Sequence, residues 1–341
     1  MLNAINLRTE YLKNPIGIDI IKPRFSWTLD GESKKQLSYE VRASSSINEL
    51  QQGVFNWESG LVESNQMTHI SYGRKLSSRE QVYWQVRICD EDGVFGNWSE
   101  IASFEMGLLN ESDWKAQWIC GDYEPLANER YPADEFKKEF SIEEVSKARL
   151  YITACGLYEV KINGIRVGNQ VFTPGLTSYD KRIQYQVYDV AEYLKAGNNS
   201  IEITLGDGWF RGKSGVFGAT QVYGKVTSLM AQLEVYSETG TINEIVTDET
   251  FLWSNDGPVR FNDMKDGETV LGNCIPSYTG KAKSININVP LSCSNNVPVI
   301  EQEHFMPEVI ITPDGSTVLD FKQNIAGYMA FSVKGSKGHT V

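Results

Sequence analysis

The chain reads as an all-β protein made of tandem β-sandwiches. Three observations predict this. Apolar and polar residues alternate with a period of two in many short runs, as at 38–44 (Ser-Tyr-Glu-Val-Arg-Ala-Ser) and 82–88 (Val-Tyr-Trp-Gln-Val-Arg-Ile). Turn residues such as Asp92-Gly93, Asn163-Gly164 and Glu238-Thr239-Gly240 punctuate the runs. Helical signals are sparse: 47–52 stops at Gly53, and 189–196 starts on Asp189 and stops at Gly197.

In chain order, residues 1–107 contain Trp27, the strand Tyr39-x-Val41, the strand Tyr83-Trp84-x-Val86-Arg87 and a closing Gly96-x-Trp98-Ser99. That order and length predict an immunoglobulin-like sandwich, with Trp27 and Trp84 in its core. Residues 108–134 read as a linker. Its Trp114 and Trp118 pack on the next β unit, and its polar, Pro-containing second half forms a surface loop. Residues 135–296 form that larger β unit, with strands at 148–154, 158–162, 183–188, 200–205 and 228–236. Asn163-Gly164 joins two β runs as a two-residue hairpin turn. Residues 297–341 start a third unit, with strands expected at 318–321 and 330–333, a turn at 335–338 and a third strand from 339. So few strands cannot bury a core, so this segment is expected to be the truncated start of a domain.

A net charge of −12 and a pI near 4.9 argue against nucleic acid and against an anionic membrane surface. No apolar run is long enough to span a bilayer, and the amino terminus lacks a secretory signal. The five cysteines are widely spaced, with no CxxC pair. Free thiols in a cytoplasmic protein are expected, rather than disulfides or zinc.

The most distinctive segment is Leu205-Gly206-Asp207-Gly208-Trp209-Phe210-Arg211-Gly212. Its glycines predict a loop rather than a strand. Trp209 offers a flat face for a sugar ring, while Asp207 and Arg211 offer hydrogen bonds to hydroxyls. The alternative is a tight turn with a core tryptophan. Asp207 and Asp180 are poor general acids, because the neighbouring Arg211, Lys181 and Arg182 lower a carboxylate's pKa. Glu268 stands alone, and His69, His304 and His339 lack ligand spacing. No catalytic residue and no metal set is therefore assigned.

Several motifs in order carry a family resemblance. They begin with Leu7-Arg8-Thr9-Glu10-Tyr11, Asn14-Pro15-Ile16-Gly17-Ile18-Asp19 and Pro23-Arg24-Phe25-Ser26-Trp27. Then come Phe104-Glu105-Met106-Gly107-Leu108, the run from Ala148 to Glu159, Ile162-Asn163-Gly164-x-Arg166-Val167-Gly168 and Thr173-Pro174-Gly175. The Gly-Asp-Gly-Trp segment and Asp320-Phe321-x-Gln323-Asn324-x-Ala326-Gly327 complete the series. The chain resembles the amino-terminal part of bacterial α-L-rhamnosidases, glycoside hydrolase family 78. The resemblance implies a fibronectin III-like start, a jelly-roll, carbohydrate-binding-like domain at 135–296 and a concanavalin-like β-domain from 297. It also implies a parent enzyme that hydrolyses terminal α-L-rhamnosides with inversion, using two carboxylates in an (α/α)6 barrel. No stretch of the sequence reads as that barrel, so the chain alone is expected to be inactive, with a rhamnose-containing glycoside and the missing catalytic domain as its partners. A free-standing carbohydrate-binding protein is the alternative.

The resemblance also implies a sugar site where the Asn163-Gly164 turn meets the loop from Gly206 to Gly218, with Asn163, Asp207, Trp209 and Arg211 as contacts and Phe217 and Tyr223 on its rim. Some modules of this type bind rhamnose through calcium. Here Asn163-Gly164 lacks the acidic partner, so no cofactor is required and Ca2+ dependence is expected to be weak. Lys322 stands where the family usually has Gly. Val270-Leu271-Gly272-Asn273 replaces its Tyr-Asp-Ala-Arg.

Overall fold

The computed structural model describes residues 2–33, 35–127, 129–272, 274–336, 338 and 340, and its regular structure is almost entirely β. By its contacts the chain divides into two units, Met1–Gly168 with Phe172–Val297, and Asn169–Val171 with Pro298–Val341.

The first sandwich of the larger unit has a three-stranded sheet: Leu2–Thr9, Arg24–Gly31 and Ile70–Ser71. Facing it is a five-stranded sheet ordered Ile16–Ile18, Ala102–Met106, Gln81–Asp90, Gln36–Ser44 and Trp57–Glu58. The two-residue period of Gln81–Asp90 puts Val82, Trp84, Val86 and Ile88 inside. Phe25 stacks on Trp84 with centroids 4.1 Å apart. Both buried indoles find partners, as burial requires: Trp84 Nε1 donates to Thr9 Oγ1 at 3.2 Å and Trp27 Nε1 to Gln36 Oε1 at 3.0 Å. Trp98 lies outside, under the Arg42 guanidinium at 3.9 Å. The expected helix is Ile47–Gln52, capped by Ser46, and Gly53 leaves it at φ 78°.

The second sandwich faces a six-stranded sheet against a seven-stranded one. The six-stranded sheet centres on Leu157–Ile162, Gly197–Gly206 and Asp134–Ile142; the other centres on Ser228–Tyr236, Lys147–Cys155 and Ile183–Asp189. Phe136, Leu150, Ile152, Val160, Ile203, Leu205, Leu233 and Val235 fill the space between. Lys147–Cys155 is buried on both faces. Its inner face meets this core, while Tyr151 on the outer face packs with Leu108, Tyr185 and Trp114. Residues 108–134 are thus more than a connector, because they cover that face and place Ile119–Cys120 in the seven-stranded sheet.

The Asn163-Gly164 hairpin forms as expected: Ile162 faces Ile165, with Asn163 at φ 52° and Gly164 at φ 79°. Three expectations change. Gly206 ends a strand and Gly208–Arg211 is one helical turn, so the glycine-rich segment is not an open loop. The expected helix at 189–196 shrinks to the 3-10 turn Ala191–Tyr193, because Asp189 is still paired to Arg149 in the sheet. No strand forms at 330–333.

In the smaller unit, Glu308–Ile311 pairs antiparallel with Thr317–Asp320, and Val171 N–H donates to the Val299 carbonyl at 2.9 Å. None of its described residues is buried, so the apolar side chains of the hairpin meet no core. Lys322 has φ 62°, a left-handed conformation that glycine adopts without strain. The turn at 335–338 and the strand from 339 involve Lys337, His339 and Val341, which lie outside the described residues, as does Asn273.

Candidate functional site

Leu157–Ile162 and Gly197–Gly206 run antiparallel, with Leu157 opposite Gly206 and Ile162 opposite Ile201. Asn163 therefore leaves one end of this pair and Asp207 the other. The five residue steps from Leu157 to Ile162, at about 3.3 Å each, set the two ends of the pair about 17 Å apart. The two segments expected to meet over a sugar lie at opposite ends of the sheet.

At the Asp207 end the chain turns sharply. Gly208 has φ 53°, and a Cβ there would stand 2.6 Å from Leu157 Cγ, so only glycine fits. The turn brings Arg211 back onto Asp207: Nε donates to Oδ1 at 2.8 Å, with Nη2 2.7 Å from the same oxygen. Both side chains are 2% exposed. The Asp207 backbone N–H donates to Asn262 Oδ1 at 2.6 Å, and Arg130 Nη2 stands 3.7 Å from Asp207 Oδ2.

Further carboxylates close the network. Arg130 pairs with Asp263, which also accepts the backbone N–H groups of Lys213 at 2.8 Å and Lys265 at 2.8 Å. Arg211 Nη1 donates to the Tyr123 hydroxyl. Asp134 accepts from Tyr123 at 3.3 Å, Thr227 at 2.8 Å and the Trp253 indole at 3.0 Å. Burial pushes the Asp134 and Asp207 carboxyls above their usual range, and Arg211 only partly offsets this, so the expectation that Arg211 lowers Asp207 is overturned by desolvation. Burial acts the same way on Asp263, but there the Lys213 N–H and the Arg130 guanidinium outweigh it and hold the group at about 2. Asp134, Asp207 and Asp263 against Arg130 and Arg211 make an internal charge network that locks strand ends and loops together. It offers a sugar no open hydrogen bond from Asp207 or Arg211.

Trp209 is half-buried, packs beside Trp118 and Phe210, and meets the exposed Phe172 edge-on at 6.0 Å. Of the four expected contacts it alone keeps part of a recognition surface. The Asn163 amide is consumed by its own turn: Nδ2 donates to the Tyr193 carbonyl at 2.9 Å and Asn199 Oδ1 at 2.8 Å, while Oδ1 accepts the Ser200 N–H at 3.0 Å. The turn Ile162-Asn163-Gly164-Ile165 carries no carboxylate, whereas calcium prefers several charged oxygens, so these residues are a poor fit to a calcium site. Among the described residues no three His, Cys, Asp or Glu side chains gather as a ligand set. On the expected rim, Phe217 is 100% exposed, while Tyr223 packs on Tyr179 at 5.1 Å. Asp134, Asp263, Arg130 and Tyr123 escaped sequence reasoning, because no local pattern marks residues that only strand pairing brings together.

Two family models match. One describes the α-L-rhamnosidase N-terminal domain, over residues 143–273; the other describes the Rha78A-like N-terminal immunoglobulin domain, over residues 4–110. An α-L-rhamnosidase of Formosa agariphila is 32% identical over 355 residues, covering 98% of this chain and 38% of that relative. The solved structure of α-L-rhamnosidase from Dictyoglumus thermophilum superposes with a TM-score of 0.81 at 30% identity, covering 94% of this chain and 39% of that one. That of native α-L-rhamnosidase from Aspergillus terreus gives 0.83 at 31%, covering 95% and 39%. The chain thus spans about two fifths of the length of the relatives it matches. By its two matched domains and their order, it belongs with the amino-terminal β-domains of the α-L-rhamnosidases.

Proposed function

We propose that this chain is the ancillary amino-terminal region of an enzyme that hydrolyses terminal α-L-rhamnosides with inversion, the two catalytic carboxylates lying in a helical barrel outside residues 1–341. The observation that carries this reading is the succession of the two rhamnosidase domains along one chain. The internal charge network supports it. Inverting hydrolysis needs two carboxyls flanking an open sugar site, whereas Asp207 and Asp263 are closed off and tied to arginines.

In this reading residues 1–107 are the immunoglobulin-like sandwich, 108–134 join it to a jelly roll at 135–296, and 297–341 open a concanavalin-like domain that further chain completes. A rhamnose-containing glycoside and the catalytic barrel are the partners. The five unpaired thiols favour the cytoplasm; among the described residues no helix is long and apolar enough to cross a membrane. Within the jelly roll, Trp209 remains the candidate sugar contact; Asp207 and Arg211 hold the fold beside it, and Asn163 holds the hairpin turn at the other end of the strand pair.

The test pairs an assay with a reading of the gene. The polypeptide alone should not release the aryl group from an aryl α-L-rhamnoside above a buffer blank, and the reading frame should continue past Val341 into a helical domain. Turnover abolished by Asp207→Ala or Glu268→Ala would overturn the catalytic assignment. A stop codon directly after Val341 would instead make the chain a free-standing carbohydrate-binding protein.

A further inference from the structure

The first sandwich contains a cleft outside the candidate site. It has a volume of about 360 Å³ and is lined by Tyr39, Trp57, Glu58, Gln66, His69 and their neighbours. That is within the range of small-molecule sites. It lies where the edge strand of one sheet, Trp57–Glu58, comes near the edge strand of the other, Ile70–Ser71.

The intervening segment crosses between the two sheets and is pinned to both. Val62 exchanges backbone hydrogen bonds with Tyr39, at 2.9 and 3.0 Å, and the Met67 carbonyl accepts the Trp27 N–H at 3.1 Å. The cleft is therefore preformed. Trp57 is held edge-on to Tyr72 at 5.1 Å, and a Cβ on Gly73 would stand 2.4 Å from its Nε1, so glycine there leaves room for the indole.

The lining groups have spare hydrogen-bonding capacity. Among the described residues, none bonds to the Tyr39 hydroxyl, the Trp57 indole N–H or Gln66 Oε1, whereas Gln66 Nε2 is spent on the Thr68 carbonyl at 2.8 Å. His69, at φ 58°, shares its Nε2 with the Tyr11 hydroxyl at 2.7 Å. The Glu58 carboxylate is exposed and is the only Asp, Glu, Lys or Arg among the lining residues. An aromatic wall beside mixed donors and acceptors suits a ligand that both donates and accepts through hydroxyls. The single negative charge and the lack of a cation disfavour phosphates, sulfates and uronates. Each flanking edge strand is two residues long, too short to template an added peptide strand.

We propose that this cleft binds a neutral saccharide, a mono- or disaccharide, with the Trp57 ring as its apolar contact and Glu58, Gln66 and Tyr39 as its polar ones. The site is independent of any sugar contact at Trp209.

The test labels the indole nitrogens of the chain's eight tryptophans with 15N. L-rhamnose, D-glucose and D-galactose are titrated in turn, with glucuronate and inorganic phosphate as controls. The Trp57 indole signal, assigned from Trp57→Phe, should move with at least one neutral sugar, with a Kd on the order of 1–10 mM. Glu58→Gln should weaken that binding at least about fivefold, about one kcal/mol or more of lost affinity, while its thermal midpoint stays at the wild-type value. A signal that stays fixed with all three sugars up to about ten times that Kd range overturns the proposal. So does an equal response in Glu58→Gln, or glucuronate binding as tightly as the neutral sugars. A response at Trp209 alone assigns binding to the second sandwich and also rejects this cleft.

Discussion

Arg149 grips Glu105 with both arms, Nε on Oε1 at 2.8 Å and Nη2 on Oε2 at 2.8 Å. Glu105 lies in the last strand of the first sandwich and Arg149 in a central strand of the second, and both are almost fully buried. Lys147 adds Nζ at 3.1 Å, and the Tyr185 hydroxyl accepts the Leu108 N–H at 2.8 Å nearby. A second pair, Arg79 with Glu234 at 2.6 Å, spans the same boundary. The two sandwiches are thus joined through buried charge as well as apolar packing.

Arg149→Ala should destabilise the chain by about 3–5 kcal/mol, because it leaves the Glu105 carboxylate buried with only Lys147 beside it. The double variant Glu105→Leu with Arg149→Met should cost less than either substitution alone. Urea unfolding of Arg149→Ala, Glu105→Leu, Arg149→Met and the double variant checks this, and a double variant less stable than either of its single substitutions would contradict it.

Glu135 carries a pH prediction. It is buried beside Thr204, whose hydroxyl donates to it at 2.8 Å, and burial raises its pKa from 4.5 to about 7. Between those values the folded chain keeps a proton that the unfolded chain releases, so this group makes stability fall as pH rises. A shift of that size corresponds to about 3 kcal/mol above pH 7, as an upper figure. Glu135→Gln should therefore gain stability over wild type, with little gap near pH 4.5 and a growing one towards pH 8. Glu234 works oppositely. Burial would raise it, but Arg79, Tyr236 and Gln232 outweigh that and hold it low, so its contribution is lost as pH falls through its folded pKa. Denaturation midpoints across pH 4–8 separate the two slopes.

Arg211→Ala should cost about 3–5 kcal/mol, since Asp207 then stays buried with only Arg130 at a distance. Asp207→Asn should cost less, because the amide oxygen still accepts from Arg211. If the pair is structural, any rhamnose-induced NMR shifts that persist in Asp207→Asn should match the wild type. Loss of those shifts at unchanged stability would restore Asp207 as a sugar contact.

Asn163→Ala should cost about 2 kcal/mol, from the positive φ and from side-chain hydrogen bonds lost at the turn. Asn163→Gly keeps the backbone conformation and loses only the bonds, so it should be the milder of the two. Thermal unfolding ranks them; equal midpoints for the two variants would mean that the backbone conformation adds no strain.

The sequence by itself determined the local structure. Alternation with a period of two produced the strands of both sandwiches. Asn163-Gly164 set the hairpin, Gly53 ended the short helix at 47–52, and the described residues of the thinly patterned 297–341 bury no side chain. These features depend on backbone preferences and side chains within a few residues of each other. Tertiary structure decided what that range cannot reach. Strand register set Asn163 and Asp207 at opposite ends of one strand pair, although both flank short glycine turns. The sheet then gathered Asp134, Asp263 and Arg130 around Asp207 and Arg211, turning an apparent recognition loop into a closed charge network. The meeting of two sheet edges made the Trp57 cleft, and docking of two sandwiches paired Glu105 with Arg149. Each of these depends on which distant residues pairing and burial bring together, and the resulting desolvation fixes whether a charged group can face a ligand or must be neutralised inside.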